Sequence, residues 1–323
     1  MMRVISADEV ASLLTWPDLI DRIGAMFRDG CMSPPRHHHA IQRPDGEATM
    51  LLMPAWEHNG YLGVKVVNVF PQNASAGLPA IAGLYLLSDG QHGRPLACID
   101  GSELTRRRTA AASALAARHL AREDASSLLV VGTGKLAPML LEAHASVRRI
   151  HRVRVWGRNP EKARRLAREY GRGDLDIAPV TDAELPKAVS EADIVTCATL
   201  STAPIVQGEW LSAGTHLDLV GAFRPDMRES DDVCLQRADV FVDTYPGAMG
   251  EAGDVLQAID SGAFNGGDIC ADLEALEQAR HPGRTSPRDI TLFKSVGASL
   301  EDLAAAIEVW SRINTATKER PHE

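Results

Sequence analysis

Three cations stand where cations are costly. Lys65 lies inside "LGVKVVN", a strand-like run built mainly of Val and Leu, and lysines seldom occupy such a place without a partner. Arg108 is the third arginine of "TRRRTAAASALAARHL". On a helix it shares a stripe with Ala112, Leu115 and His119, so its guanidinium points where small apolar side chains pack. Arg107 falls on another stripe, with Ala111, Ala114 and Arg118, and reads as solvated. A cation aimed inward must find an anion, because an unpaired buried charge is expensive. For Arg108 that anion is either a carboxylate of the protein or the carboxylate of a small substrate; we take the substrate as the expectation. Arg36, after "SPP", is a third candidate, its alternative being an ordinary loop cation. The three histidines of "RHHHA" alternate sides on an extended chain and cannot converge on one metal. The five cysteines are scattered without a C-x-x-C pair. No metal site is therefore expected.

A second constellation concerns phosphate. "VVGTGKLAP" sets Gly132, Gly134 and Ala137 in G-x-G-x-x-G/A spacing, after a strand and at a helix start. Gly132 permits the tight turn, Gly134 lets a pyrophosphate approach the backbone, and the helix N-terminus attracts its charge. Gly132, Thr133, Gly134, Lys135 and Leu136 are the expected dinucleotide cradle. The next strand ends "VWGRNPEK", with no acid to hold a ribose 2′-hydroxyl. Arg158 can instead pair a 2′-phosphate, with Asn159 beside it. NADPH is the expected cofactor and NADH the second choice; the alternative for Arg158 is a solvated loop residue.

These residues need a frame. From residue 123 onward, strand-like runs ("SLLVVG", "RVRVWG", "LDIAPV", "ADIVTCAT", "GTHLDLVG", "ADVFVDT") alternate with helical ones, as in an α/β, doubly wound parallel sheet. The first 120 residues differ. "ATMLLMPAW", "YLGVKVVNVF" and "AIAGLYLLSD" are strand-like runs broken by turn signals, suggesting an antiparallel sheet, and the helix 104–122 follows. A last helix is expected over 299–313. The division expected is 1–122 with 299–323 against 123–298. Composition is that of a soluble globular protein, 45% apolar and 24% charged with net charge −9, which offers no nucleic-acid footprint. No window suits a membrane span, and "MMRVISADEV" lacks the apolar core of a signal peptide. A cytoplasmic location is expected.

The runs "LMPAW", "GVKVVN", "LPAIAGLYLLSDGQHGRPLACIDGSELTRRRTAA", "GTGKLAP", "GTHLDLVGAFRPDMRE" and "LFKSVGASLEDLA" together resemble the ornithine cyclodeaminase/mu-crystallin family, from about residue 30 to 310. The resemblance implies a homodimer. It also implies a Rossmann domain beside an α+β substrate-binding and dimerisation domain, made by the N-terminal segment and the C-terminal helix. Arg36, Lys65 and Arg108 match the family's substrate-binding cations. The family includes ornithine cyclodeaminases, alanine dehydrogenase and ketimine reductases. Where cyclodeaminases carry "GDCPGKTE", with an aspartate that handles amine and water chemistry, this chain has "GAFRPDMRE" and places Phe223 at that position. The glutamate they carry before "LMP" is Leu51 here. The wording is most similar to the 1-pyrroline-2-carboxylate reductase branch.

The expectation is thus NADPH-dependent reduction of 1-pyrroline-2-carboxylate to L-proline, with 1-piperideine-2-carboxylate to L-pipecolate as a further reaction. Lys65 would bind this cyclic imino acid and supply or relay the proton. Gly221 and Ala222 would hold the nicotinamide, and Phe223 would limit the pocket. Asp226 and Arg228 are either a local ion pair or catalytic. The alternatives are ornithine cyclodeaminase, alanine dehydrogenase and a non-catalytic ligand-binding protein like mu-crystallin.

Overall fold

The computed structural model describes residues 2–44, 46–171 and 175–318. The chain divides into two compact units, Met1–Arg108 with Ala298–Glu323, and Thr109–Gly297. The division falls inside the helix Gly101–Leu120, earlier than the boundary expected after residue 122.

The first unit is built on a six-stranded sheet. Its strands are β1 (Arg3–Ile5), β2 (His37–Arg43), β3 (Gly46–Trp56), β4 (Tyr61–Val69), β5 (Ile81–Asp89) and β6 (Pro95–Asp100), in the order β1-β6-β5-β4-β3-β2. The pairs from β2 to β6 are antiparallel; only β1 joins parallel, against β6. Register decides the faces. Met53 and Tyr85 stand opposite Lys65, so these three share one face, and Leu51, two residues before Met53, shares it too. The helix Ser299–Lys318 packs on β3, β4 and β5 and against the helix Trp16–Asp29. The latter starts where Thr15 caps it and Pro17 pre-sets its first turn. It buries Leu19, Ile20, Ile23 and Phe27, one stripe of a 3.6-residue period, and stops at Gly30, whose φ of 80° few side chains tolerate. The opposite sheet face keeps Trp56, Leu62 and Leu84 exposed.

The second unit holds an all-parallel sheet. Its strands are β7 (Ser127–Val131), β8 (Arg152–Trp156), β9 (Asp176–Pro179), β10 (Ile194–Cys197), β11 (His216–Leu219), β12 (Asp239–Val242), β13 (Ala271–Asp272) and β14 (Thr291–Lys294). Their order is β13-β12-β14-β11-β10-β7-β8-β9. Chain order runs outward from β7 through β8 to β9, then returns to β10 on the other side. The switch point therefore lies between β7 and β10, as in a Rossmann fold. Both faces are covered: Leu128 and Val130 pack with Leu141 and Leu166, while Leu129 and Val131 pack with Leu185 and Val189. The short β13 was not legible in the sequence. The last helix runs to Lys318, past the end expected at 313. Of the polar segment 316–323, residues 319–323 lie outside the described residues. No helix among the described residues is long and apolar enough to cross a membrane.

Candidate functional site

In the first unit the expected cations meet two acids. Lys65, 3% exposed in β4, lies 2.7 Å from Asp302 Oδ2. Arg108 Nε donates to Asp302 Oδ1 at 2.9 Å, and its Nη1 donates to Glu301 Oε2 at 2.6 Å. Both carboxylates are fully buried in the first turn of Ser299–Lys318, where the helix dipole favours acids. Arg108 therefore has its anion from within the protein, and the expectation that a substrate alone supplies it is corrected. No hydrogen bond to a described residue uses its Nη2. Arg36 is half-buried, and its charge reaches Lys65. Burial, opposed by Asp302 and reinforced by the charges of Arg108 and Arg36, pulls the Lys65 ammonium down to about 8. For Asp302, burial pushes the carboxyl up, but Arg108 and Lys65 outweigh it and hold it below its ordinary value.

Arg107 departs from its expected solvated face. It donates to Glu103 Oε1 at 2.8 Å and to the Leu14 carbonyl at 3.1 Å, and it lies over the Trp16 ring. His37, His38 and His39 lie on the exposed edge strand β2, with His38 facing opposite to the other two.

In the second unit the glycine turn fits a dinucleotide. Gly132 has φ 129°, and a Cβ there would meet the Ala198 carbonyl at 2.7 Å. Gly134 has open space where its Cβ would be, the side a pyrophosphate approaches. The helix Ala137–Val147 begins after Leu136 with no side-chain cap; Ala137 N donates to the Gly134 carbonyl at 3.2 Å and Pro138 has no N–H, so it is the positive end of the helix dipole that favours an anion here. Thr133 and Leu136 are half-buried, and Lys135 is exposed. A Cβ on Gly157 would strike the Thr133 side chain at 2.6 Å, so the end of β8 lies against the turn. Arg158 then emerges exposed, with no ion pair or hydrogen bond to a described residue. Asn159 acts as a helix cap: its Oδ1 accepts from Glu161 N at 3.0 Å and Lys162 N at 3.3 Å, at the start of Pro160–Tyr170.

The strand end "GAFRPDMRE" is held from inside. A Cβ on Gly221 would collide with the Thr199 carbonyl and with Glu229 Oε1, so protein fills that approach. Ala222 is buried in the left-handed region at φ 44°, and its carbonyl accepts from Gly253 N at 3.1 Å. Phe223 is half-buried. Asp226 pairs with Arg224, whose Nε lies 2.9 Å away, and Arg228 pairs with Asp232. Asp226 and Arg228 thus each pair with another neighbour rather than with each other.

The sequence reading missed Glu301 and Asp302, whose signal was two acids opening the C-terminal helix. It also missed Glu229, Asp254 and Lys294, all fully buried. Lys294, inside "LFKSVG", carries the same signal as Lys65: a lysine in an apolar strand.

A glycine-turn parallel sheet, with buried cations on a separate antiparallel sheet, defines a Rossmann-type α/β protein carrying an α+β companion unit. The chain belongs to the ornithine cyclodeaminase/mu-crystallin family, whose model matches residues 2–317. It is 37% identical over 311 residues to a Delta(1)-pyrroline-2-carboxylate reductase of Paracoccus denitrificans, covering 94% of each chain. Its fold matches the Thermococcus litoralis Delta(1)-pyrroline-2-carboxylate reductase in complex with NADH and L-proline, with TM-score 0.89, 31% identity and 98% of each chain covered. It also matches an archaeal alanine dehydrogenase dimer with bound NAD, with TM-score 0.89 and 28% identity, over 98% of this chain and 97% of that one.

Proposed function

We propose that this chain is an oxidoreductase that reduces a cyclic ketimine carboxylate with NADPH. Its preferred substrate is 1-pyrroline-2-carboxylate, giving L-proline, and 1-piperideine-2-carboxylate is a second. The observation that carries the reading is Lys65: a buried lysine, paired with Asp302 and drawn down to about 8, is an acid matched to neutral pH. When bound, the reduced nicotinamide supplies the hydride. The imine nitrogen takes a proton on its lone pair from Lys65 Nζ. As C2 receives the hydride, the C=N π pair becomes the lone pair of the amine product. Arg36 and the Nη2 edge of Arg108 orient the substrate carboxylate, and Asp302 keeps Lys65 in place. Leu51, on the Lys65 face, offers no carboxylate, and neither does Phe223. Both departures speak against handling the amine of ornithine.

The neighbours above hold NADH or NAD, so the preference for NADPH is drawn from this chain's own strand end. Arg158 stands exposed after β8 with no acid beside it to repel a 2′-phosphate. We place the cofactor on Gly132, Thr133, Gly134, Lys135 and Leu136. The exposed apolar face carrying Trp56, Leu62 and Leu84 supports a homodimer through that face. Two assays on the purified protein test the reading. NADPH oxidation with 1-pyrroline-2-carboxylate and no ammonia from L-ornithine is the expected result. Ammonia release from ornithine without net cofactor turnover overturns it.

A further inference from the structure

A second group of buried charges lies in the Rossmann unit, and neither the cofactor cradle nor the proposed proton transfer uses it. Lys294 ends β14, Asp254 opens the helix Gly253–Asp260, and Glu229 follows the "GAFRPDMR" stretch. Lys294 Nζ donates to the Gly221 carbonyl at 2.5 Å and lies 3.3 Å from Asp254 Oδ2. Asp254 Oδ1 accepts from Glu229 N at 2.8 Å, Ser230 N at 2.9 Å and Ser230 Oγ at 3.1 Å. Glu229 Oε1 accepts from Thr199 N at 2.6 Å and Thr199 Oγ1 at 2.8 Å. The cluster thereby ties together the backbone beyond β10, at Thr199, and beyond β11, at Gly221. A doubly wound sheet binds its ligand outside such carboxyl ends.

The charges do not balance. Lys294 and Asp254 cancel, which leaves Glu229 as a second buried acid without a cation of its own. Glu229 Oε2 and Asp254 Oδ2 are both buried without a hydrogen-bond partner among the described residues, but Asp254 Oδ2 faces the Lys294 ammonium at 3.3 Å and Asp254 Oδ1 has three donors. A bare negative charge on Glu229 Oε2 is costly, so a proton belongs there. Burial pushes the Glu229 carboxyl up to about 7, against the pull of Lys294 and with the push of Asp254. The remaining groups facing it are few. Cys197 on β10 feels the charges of Glu229, Asp254 and Asp218, and burial keeps its thiol neutral. Asp243, fully buried, also feels the Lys294 charge; burial pushes its carboxyl up, against donation from Thr244 N at 2.7 Å, Val296 N at 2.8 Å and Gly297 N at 2.7 Å.

We propose that Glu229 is a specificity-determining residue for the redox state of the nicotinamide cofactor. Protonated, it leaves the cluster neutral and favours the uncharged reduced ring. Ionised, it puts a negative charge beneath the strand ends and favours the cationic oxidised ring. The proposal rests on the reading of this unit as a nicotinamide site, but not on the identity of the imine. It assigns to the cluster a linkage between proton release and binding of the oxidised cofactor.

The test uses binding alone. Dissociation constants of NADPH and NADP+ are measured by calorimetry between pH 6 and pH 8.5, for wild type and Glu229→Gln. The amide preserves the acceptor for Thr199 and cannot ionise. Titration of the 2′-phosphate affects both forms and cancels in their ratio. In wild type, Kd(NADP+)/Kd(NADPH) falls about threefold or more as pH rises, the factor given by a pKa difference of about half a unit between the two complexes. In Glu229→Gln the ratio is flat. A constant wild-type ratio, or an equal fall in the variant, overturns the proposal. Should the variant fail to fold, wild-type titrations in two buffers of different ionisation heat decide: NADP+ must release more protons than NADPH. If neither form binds, the cofactor reading itself falls, and this proposal with it.

Discussion

Replacing Asp302 by Asn removes one charge and almost no volume, which makes it a direct probe of Lys65. Asp302 is fully buried between Lys65 Nζ at 2.7 Å and Arg108 Nε at 2.9 Å. An opposite charge at this range raises a cation's pKa by about 1–3 units. Losing it drops Lys65 by that much from its present value of about 8. At pH 7.5 the protonated fraction, now about three-quarters, falls to about a quarter or far less. The assay is kcat/KM for ketimine reduction from pH 5.5 to 9.5. Wild type is expected to lose activity as pH rises through about 8; in Asp302→Asn that falling limb should move about 1–3 units toward acid. Stability drops as well, by up to about 3–5 kcal/mol for breaking a buried pair, less whatever the amide oxygen still accepts. Its pH dependence has a fixed sign. The folded value of about 8 lies below the ordinary lysine value of 10.5, so the folded state binds fewer protons in that window. This group's contribution therefore makes the protein more stable as pH climbs through the window. An alkaline limb at the same pH in both proteins would falsify the assignment of Lys65 as the proton donor held by Asp302.

Three further outcomes are expected. Arg158→Ala should raise the KM for NADPH about 10- to 100-fold, the loss of a charge-assisted contact of about 1.5–3 kcal/mol, and leave NADH kinetics nearly unchanged; a wild type that prefers NADH tenfold rules this out. Arg107→Ala should lower Tm by several degrees, since it removes a stack on Trp16 and a hydrogen bond to the Leu14 carbonyl, together about 1–3 kcal/mol. A melting curve identical to wild type would restore the solvated reading. Leu84→Glu should convert the proposed homodimer to monomer in light scattering after size exclusion, because it would put a charge in the apolar sheet face proposed as the interface; an unaltered mass would overturn that interface.

Much of the second unit was legible because its signals are local. A buried strand, a glycine turn and a helix start occupy adjacent residues from 127 to 147, and each constrains the next. Lys65 was legible for the same reason, as one charge within an apolar run. The partners were not. Arg108 finds Asp302 across 194 residues and Glu301 across 193, while "SLEDLA" reads locally as an ordinary helix start, where acids are expected in any case. Periodicity correctly turned Arg108 inward. It failed for Arg107 because a different element, carrying Leu14 and Trp16, covers that stripe. Gly221 shows the same limit. The residue type announced a close approach, but only the fold reveals that Thr199 and Glu229 make it.

The origin of those two acids has a consequence for how the protein is made. During synthesis, Lys65 and Arg108 leave the ribosome long before Glu301 and Asp302, and the whole of Thr109–Gly297 is translated in between. At about 5–20 residues per second, that interval lasts roughly ten to forty seconds. Through it the two cations cannot be buried at acceptable cost and must stay hydrated; only at its end does the Rossmann unit have every strand of its own sheet. The first unit therefore completes its core last, and a nascent chain halted before residue 299 has all six strands of that sheet but neither the helix that covers it nor partners for its two charges.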